Sequence, residues 1–263
     1  MITVLTGASS GIGEADARGF AREPPARFVL VARREVRLRA LAAELGPATT
    51  YVAVDLVDED APARVRAHVE EHHGGTLHLL VNNAGSSWRS TFGDGGYENV
   101  RRHMALNFDA QLRLTEALLP LLRASAPSSI VNVSSVAGRV SRGGAGGYSA
   151  SKFALAGWSD ALRAEELEHG VHVGLVLPGF IATEGFPAAE LTAKAATRWV
   201  VSTPDKAADA IVEAGPGGKA ERYVPRPWAA VVVLRTLLPG LARRLSTGSA
   251  GKAALTRTGG EPT

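Results

Sequence analysis

Ile2-Thr3-Val4-Leu5-Thr6-Gly7-Ala8-Ser9-Ser10-Gly11-Ile12-Gly13 begins as an apolar, largely β-branched run and passes into glycines spaced G-x-x-x-G-x-G. It reads as a buried strand, a glycine-rich turn and the first turn of a helix. That order cradles phosphate: glycines let the backbone approach closely, and a helix N-terminus offers unpaired N–H groups at the positive end of its dipole. The spacing differs from the G-x-G-x-x-G of the longer dinucleotide folds, so by itself the turn is weak support.

Outward from this stretch, apolar runs alternate with helical patterns, which argues for βαβ units and a parallel sheet. Strands are expected at 2–6, 27–32, 50–54, 77–82, 129–134, 171–177 and 221–224, and helices at 11–22, 34–45, 58–73, 97–124, 148–169 and 204–214. Continuous apolar runs such as Val171–Leu177 suit strands covered on both faces. The predicted fold class is α/β, a doubly wound parallel sheet of about seven strands with helices on both faces. Pro120 falls inside the long fourth helix and is expected to kink or interrupt it. There is no internal repeat and no linker, so residues 1–225 read as one domain.

A second stretch carries chemistry. In Tyr148-Ser149-Ala150-Ser151-Lys152, Tyr148 and Lys152 are four residues apart, with Ser135 thirteen residues before Tyr148. On a helix, i and i+4 share a face. A phenol of ordinary pKa, about 10, is a poor proton carrier near neutral pH, and a neighbouring ammonium lowers that value. Such a tyrosine serves as general acid or base for a carbonyl/alcohol pair. Alone, the pattern also fits a surface Tyr and Lys on an amphipathic helix.

Thr6-Gly7-x-x-x-Gly11-x-Gly13, Asn82-Asn83-Ala84-Gly85, Ser135, Tyr148-x-x-x-Lys152 and Pro178-Gly179 stand in the order and spacing of the short-chain dehydrogenases/reductases. The chain resembles that family motif by motif over residues 2–183 and more loosely to about 225. The resemblance implies a Rossmann-like fold and an NAD(P)-dependent oxidoreductase that interconverts a ketone or aldehyde and an alcohol. It implies Tyr148 as general acid/base, with Lys152 lowering its pKa and bonding the nicotinamide ribose. Ser135 would position the carbonyl, and the Asn107 backbone would hold a water in a proton relay. Only one of Ser134 and Ser135 can face the site, because side chains alternate along a strand, and the spacing selects Ser135. Cofactor contacts are implied for Thr6, Gly7, Ser9, Ser10, Gly11, Ile12 and Gly13. Asp55 and Leu56 would touch the adenine, Asn83, Ala84 and Gly85 would line the cofactor, and Pro178, Gly179, Ile181 and Thr183 would hold the carboxamide end.

The end of the second strand bears on cofactor choice. An acidic residue about 20 residues past the turn would take the ribose 2′-hydroxyl of NAD. Ala32 stands there, followed by Arg33 and Arg34. A missing carboxylate and an added guanidinium suit a 2′-phosphate, so NADP(H) is favoured over NAD(H). Arg34 alone also reads as the start of a solvated helix.

The 263 residues contain no cysteine, which excludes a disulfide framework, a thiol nucleophile and cysteine–zinc sites. The seven histidines show no metal-ligand spacing. A net charge of +3 hides an asymmetry: the last 49 residues carry +6 and the rest −3. Without interleaved aromatics or a recognisable module this reads as a solvated basic tail, not a nucleic-acid surface. With no signal-peptide pattern at its start, the cytoplasm is the default location. The expected partner is a small carbonyl or alcohol substrate, which the lid and C-terminal segment suggest is apolar (a steroid-like, retinoid-like or acyl ketone), and the resemblance implies a homodimer or homotetramer. Residues 184–203 lie where the family carries a substrate lid, with Phe186, Leu191, Trp199 and Val200 as pocket or core residues. The extension 226–263 opens with an apolar segment, 226–245, followed by a tail expected to be disordered. A pocket flap, a subunit contact and a membrane-surface segment are its three readings; the run is short and broken by Pro239, which weighs against the third. One departure from the family pattern is Asp16, where an apolar or small residue is usual. A catalytically idle nucleotide-binding sensor is the alternative function.

Overall fold

The computed structural model describes residues 1–20, 27–184, 193 and 198–240. Its strands are β1 (Ile2–Thr6), β2 (Arg27–Ala32), β3 (Thr49–Ala53), β4 (Leu79–Asn82), β5 (Ser128–Val133), β6 (Val171–Pro178), β7 (Phe180–Ile181), β8 (Val201–Ser202) and β9 (Glu221–Val224). Seven of them form one sheet in the order β3-β2-β1-β4-β5-β6-β9, every pairing parallel, while β7 and β8 form a small parallel pair. The helices among the described residues are α1 (Gly11–Phe20), α2 (Glu35–Leu45), α3 (Ala61–His73), α4 (Phe92–Met104), α5 (Ala110–Ala124), α6 (Gly146–Glu166), α7 (Pro204–Ala214) and α8 (Trp228–Leu237).

Alternation along the strands feeds two cores. Val4, Val29, Val31, Leu80 and Ile130 pack with Val65 and Val69 of α3 and Leu114, Leu118 and Leu122 of α5. Leu5, Phe28, Leu30, Val81 and Val131 turn the other way, onto Ala17 and Phe20 of α1, Leu38 of α2 and Ile211 of α7. Both faces are therefore covered, which is why these strands are apolar without interruption. Strand order reverses at β1 and β4, and ligands of such sheets bind at the carboxyl ends beside that reversal.

Two expectations need correction. The helix predicted over 97–124 is three pieces: α4 starts earlier, with a non-helical Gly96, and a π-helical turn over Ala105–Asp109 separates it from α5. Apolar periodicity reads through a π turn, which changes the helical register by only a fraction of a turn. Pro120 does not interrupt α5. It lies on the exposed face, where the carbonyl left without a partner can bond to water. The apolar stretch after residue 226 forms α8, none of whose residues is buried. Among the described residues, no helix is long and apolar enough to cross a membrane.

Asp16 marks a local anomaly. It shares the core face of α1 with Gly13, Ala17 and Phe20, is 0% exposed, and has no hydrogen-bond partner for either carboxylate oxygen. Burial pushes its pKa well above the usual carboxylate range.

Candidate functional site

The glycine turn between β1 and α1 has the shape of a phosphate cradle. Gly7 has φ +68°, and a Cβ there would meet Asn83 Nδ2 at 2.8 Å; a Cβ on Gly13 would collide with the Gly7 carbonyl oxygen. Side chains are thus excluded by the turn's own packing against Asn83 and the Gly7 carbonyl. Thr6 stands behind the turn, fully buried, and not on its ligand face. Its hydroxyl donates to Val81 O and accepts from the N–H groups of Asn83 and Ala84, while Asn83 Nδ2 donates to Thr6 O. Thr6 and Asn83 therefore lock the ends of β1 and β4 together. Ser9 and Ser10 lead into Ile12 at the exposed start of α1, and Thr183 stands over Gly11, its Cγ2 3.3 Å from where a Cβ would be.

Arg34 is not merely the start of a solvated helix. Its guanidinium folds over the turn and donates to Ser9 Oγ (3.1 Å), Ser9 O (3.1 Å) and Ser10 Oγ (2.6 Å). Arg33, the residue weighted more heavily in the sequence, is exposed and pairs at 3.5 Å with Asp55. Asp55 Oδ1 accepts from Val57 N–H, and Leu56 is buried.

The Tyr–Lys pair lies at the N-terminal end of α6. Lys152 is 3% exposed and its ammonium donates to Val133 O at 2.8 Å. Burial among uncharged groups lowers its pKa to about 7. The expected coupling therefore takes another form here. Burial pushes the Tyr148 phenol above its ordinary value, and the groups that pull it back are the Ser135 hydroxyl, by hydrogen bonding, and the charge of Arg142. Lys152 has instead found a carbonyl at the end of β5.

Ser135 follows β5, accepts from Ala137 N–H (3.1 Å) and donates to Pro178 O (3.2 Å). Ser134 faces away and donates to Lys152 O, as strand alternation requires. Asn107 lies in the π turn, fully buried. Its side chain accepts from Ser86 N–H and donates to Ser86 O and Ser151 Oγ. Gly85 leaves room for both groups: a Cβ there would lie 3.0 Å from Asn107 Oδ1 and 3.4 Å from Lys152 Nζ. Ala84 O accepts from Gln111, and Gly179, beyond Pro178, donates its N–H to Val224 O. Ile181 is buried in β7.

Three side chains at this site carried no motif in the sequence. His103, 1% exposed, stacks edge-on against Trp88 and Tyr148; Trp88 N–H donates to its Nε2, and Nδ1 lies 2.7 Å from Asn99 O. Arg142 lies 5.4 Å from the centre of the Phe180 ring. Trp228 packs directly on Gly179 and edge-on to Phe180, and its indole N–H donates to Val200 O. The apolar segment after residue 226 thus begins against the turn that follows β6. Phe186 and Leu191 of the expected lid lie outside the described residues, Trp199 is exposed and Val200 buried. Among the described residues, no group of three or more His, Cys, Asp or Glu side chains could hold a metal ion.

Comparison with known proteins follows from this geometry. The model of the short chain dehydrogenase family matches residues 1–193. The bovine dehydrogenase/reductase SDR family member 7B is 32% identical over 95% of this chain and 82% of its own. A short-chain dehydrogenase from Streptomyces avermitilis superimposes with a TM-score of 0.75 at 29% identity, over 94% of this chain and 97% of its own. L-sorbose reductase from Gluconobacter frateurii, solved with NADPH and L-sorbose, reaches the same TM-score at 28% identity, over 84% of this chain and 93% of its own. A glycine cradle at the strand-order reversal, a matching family model and two superimposable structures lead to one conclusion: this chain belongs to the short-chain dehydrogenases/reductases.

Proposed function

We propose that the chain reduces a ketone or aldehyde to an alcohol, or runs the reverse reaction, with NADP(H) preferred and Tyr148 as general acid/base. The family uses nicotinamide cofactors. The residues fit such a group, because the turn excludes side chains at Gly7 and Gly13 and presents the start of α1. Residues 7–13, Asn83 to Gly85, Pro178, Gly179, Ile181 and Thr183 would hold it, and it would supply hydride to the carbonyl carbon. The observation that carries the reading is the hydrogen bond between Ser135 and the Tyr148 phenol at the carboxyl end of the sheet, with Lys152 one turn along α6 and bonded to the end of β5.

Each residue then has a task. The Ser135 hydroxyl hydrogen-bonds the substrate oxygen and stabilises charge developing there. Tyr148 gives its proton to that oxygen in reduction and takes it back in oxidation. Lys152, poised near neutrality, becomes fully cationic when an anionic cofactor lies close, and a cation there favours the phenolate. Asn107 fixes the backbone around Ser86 and the π turn, where a water would link Lys152 to solvent.

Preference for NADP(H) rests on Arg34, with Arg33 beside it: a guanidinium already seated on Ser9 and Ser10 can turn to a 2′-phosphate. The NADPH complex of L-sorbose reductase, a structural relative, supports the same choice. A screen of carbonyl compounds with each cofactor, read by nicotinamide absorbance, tests the reaction class; no turnover with any of them would refute it. Arg34→Ala should raise the KM for NADPH by roughly 10–100-fold, the range of a lost charge-assisted hydrogen bond, and leave that for NADH within about twofold. Equal losses for both cofactors would mean that Arg34 only shapes the turn.

A further inference from the structure

On the substrate side of Tyr148, the two segments that carry Arg89 and Arg142 are joined. Ser90 N–H donates to Gly144 O at 3.1 Å, and Ser90 forms a parallel bridge with Ala145. This join brings the two segments together, and the charge of Arg89 acts on Arg142. Arg142 is mostly buried and lies beside the Phe180 ring. Among the described residues no carboxylate pairs with it; the charged or titratable groups that act on it are Arg89 and the Tyr148 phenol. Trp228 stands edge-on against the same Phe180 ring.

A guanidinium keeps its proton in any protein setting. Burying one without a counter-ion, next to another, costs stability that packing does not return. Among the described residues several exposed arginines answer to acids, as Arg18 does to Glu14 and Glu44 and Arg39 to Glu35. Arg142, whose charge acts on the reacting phenol, has no such acid among the described residues. We propose that Arg142 is a specificity-determining subsite for an anionic oxygen group, a carboxylate or phosphate, carried by the carbonyl substrate. The aromatic rings of Phe180 and Trp228 flank the rest of the molecule. This rests on the carbonyl–alcohol reading and narrows its substrate class to oxo acids, phosphorylated ketones and the corresponding alcohols.

Matched pairs that differ in charge provide the test: phenylpyruvate against its methyl ester, levulinate against methyl levulinate, and dihydroxyacetone phosphate against dihydroxyacetone. The full chain should favour the anionic member of at least one pair by tenfold or more in kcat/KM, and which pair does so separates carboxylate from phosphate. In Arg142→Met that preference should fall by about 10–100-fold, the range of one charge-assisted hydrogen bond, through KM, and Arg142→Lys should restore part of it. Arg142 also acts on the phenol, so either variant changes turnover; that effect is common to both members of a pair and cancels in their ratio. Binding, followed by tryptophan fluorescence with NADPH present, gives a readout that needs no turnover. Neutral substrates turned over as well as anionic ones, with a ratio unmoved in Arg142→Met, would overturn the subsite and leave the reductase reading standing. Absence of turnover together with tighter binding of the anionic members, lost in Arg142→Met, would support the subsite and count against that reading. Equal binding of both members would overturn the subsite in either case.

Discussion

Tyr148→Phe should bind NADPH nearly as the wild type does and lose turnover by about 10²–10⁴-fold, the usual contribution of a positioned general acid or base. Phenylalanine keeps the ring that meets His103 edge-on at a centroid distance of 6.1 Å, so the local packing of α6 survives. It removes only the hydroxyl. Cofactor titration by fluorescence and steady-state rates, measured on one preparation, separate the two effects. Retention of a tenth or more of the activity would sink the assignment of Tyr148 as the proton carrier. A parallel loss of NADPH binding would mean that the hydroxyl serves the cofactor and not the reacting oxygen.

Asp16→Ala should stabilise the protein at neutral pH, on the order of 1–3 kcal/mol, the cost of a buried polar group without a partner. For a chain of this size that corresponds to roughly 2–4 °C in Tm per kcal/mol. The sign with pH follows from the direction of the shift. The folded-state pKa of Asp16 is raised over an unfolded value of about 3.9. Below the unfolded pKa both states hold the proton and the group adds no pH dependence. As pH climbs from there toward the folded pKa, only the unfolded chain releases its proton, and wild-type stability falls by this contribution. The gap between Asp16→Ala and wild type should therefore widen from about pH 4 toward neutrality. A destabilised variant would show that the Asp16 carboxyl has a stabilising role, and a gap flat with pH in denaturant unfolding would show that its folded-state pKa is not raised.

Much of the site is local in sequence and was readable for that reason. The glycine turn is one continuous stretch, so spacing alone reveals where side chains are excluded, and Tyr148 and Lys152 are one helical turn apart. Ser135 over Ser134 follows from the two-residue period of a strand. Arg34 was underweighted because its value comes from folding back onto Ser9 and Ser10, a contact made across 25 and 24 residues of chain. Pro120 was overweighted, since its effect depends on whether the orphaned carbonyl faces solvent. His103, Arg142 and Trp228 carried no motif, and each gains meaning only from what packs against it.

From the amino-acid order alone came the parallel α/β architecture, the strand that feeds a phosphate cradle and the helical spacing of the phenol and the amine, because all three depend on periodicity and on glycine within short windows. Tertiary structure alone decided that the Lys152 amine bonds Val133 O, that Asn107 lies in a π turn, that Asp16 is sealed without a partner, and that Arg142 lies against Phe180 with its charge acting on Tyr148. Those outcomes depend on which distant groups share a desolvated space, and burial and charge act through distance in space, which residue order does not encode locally.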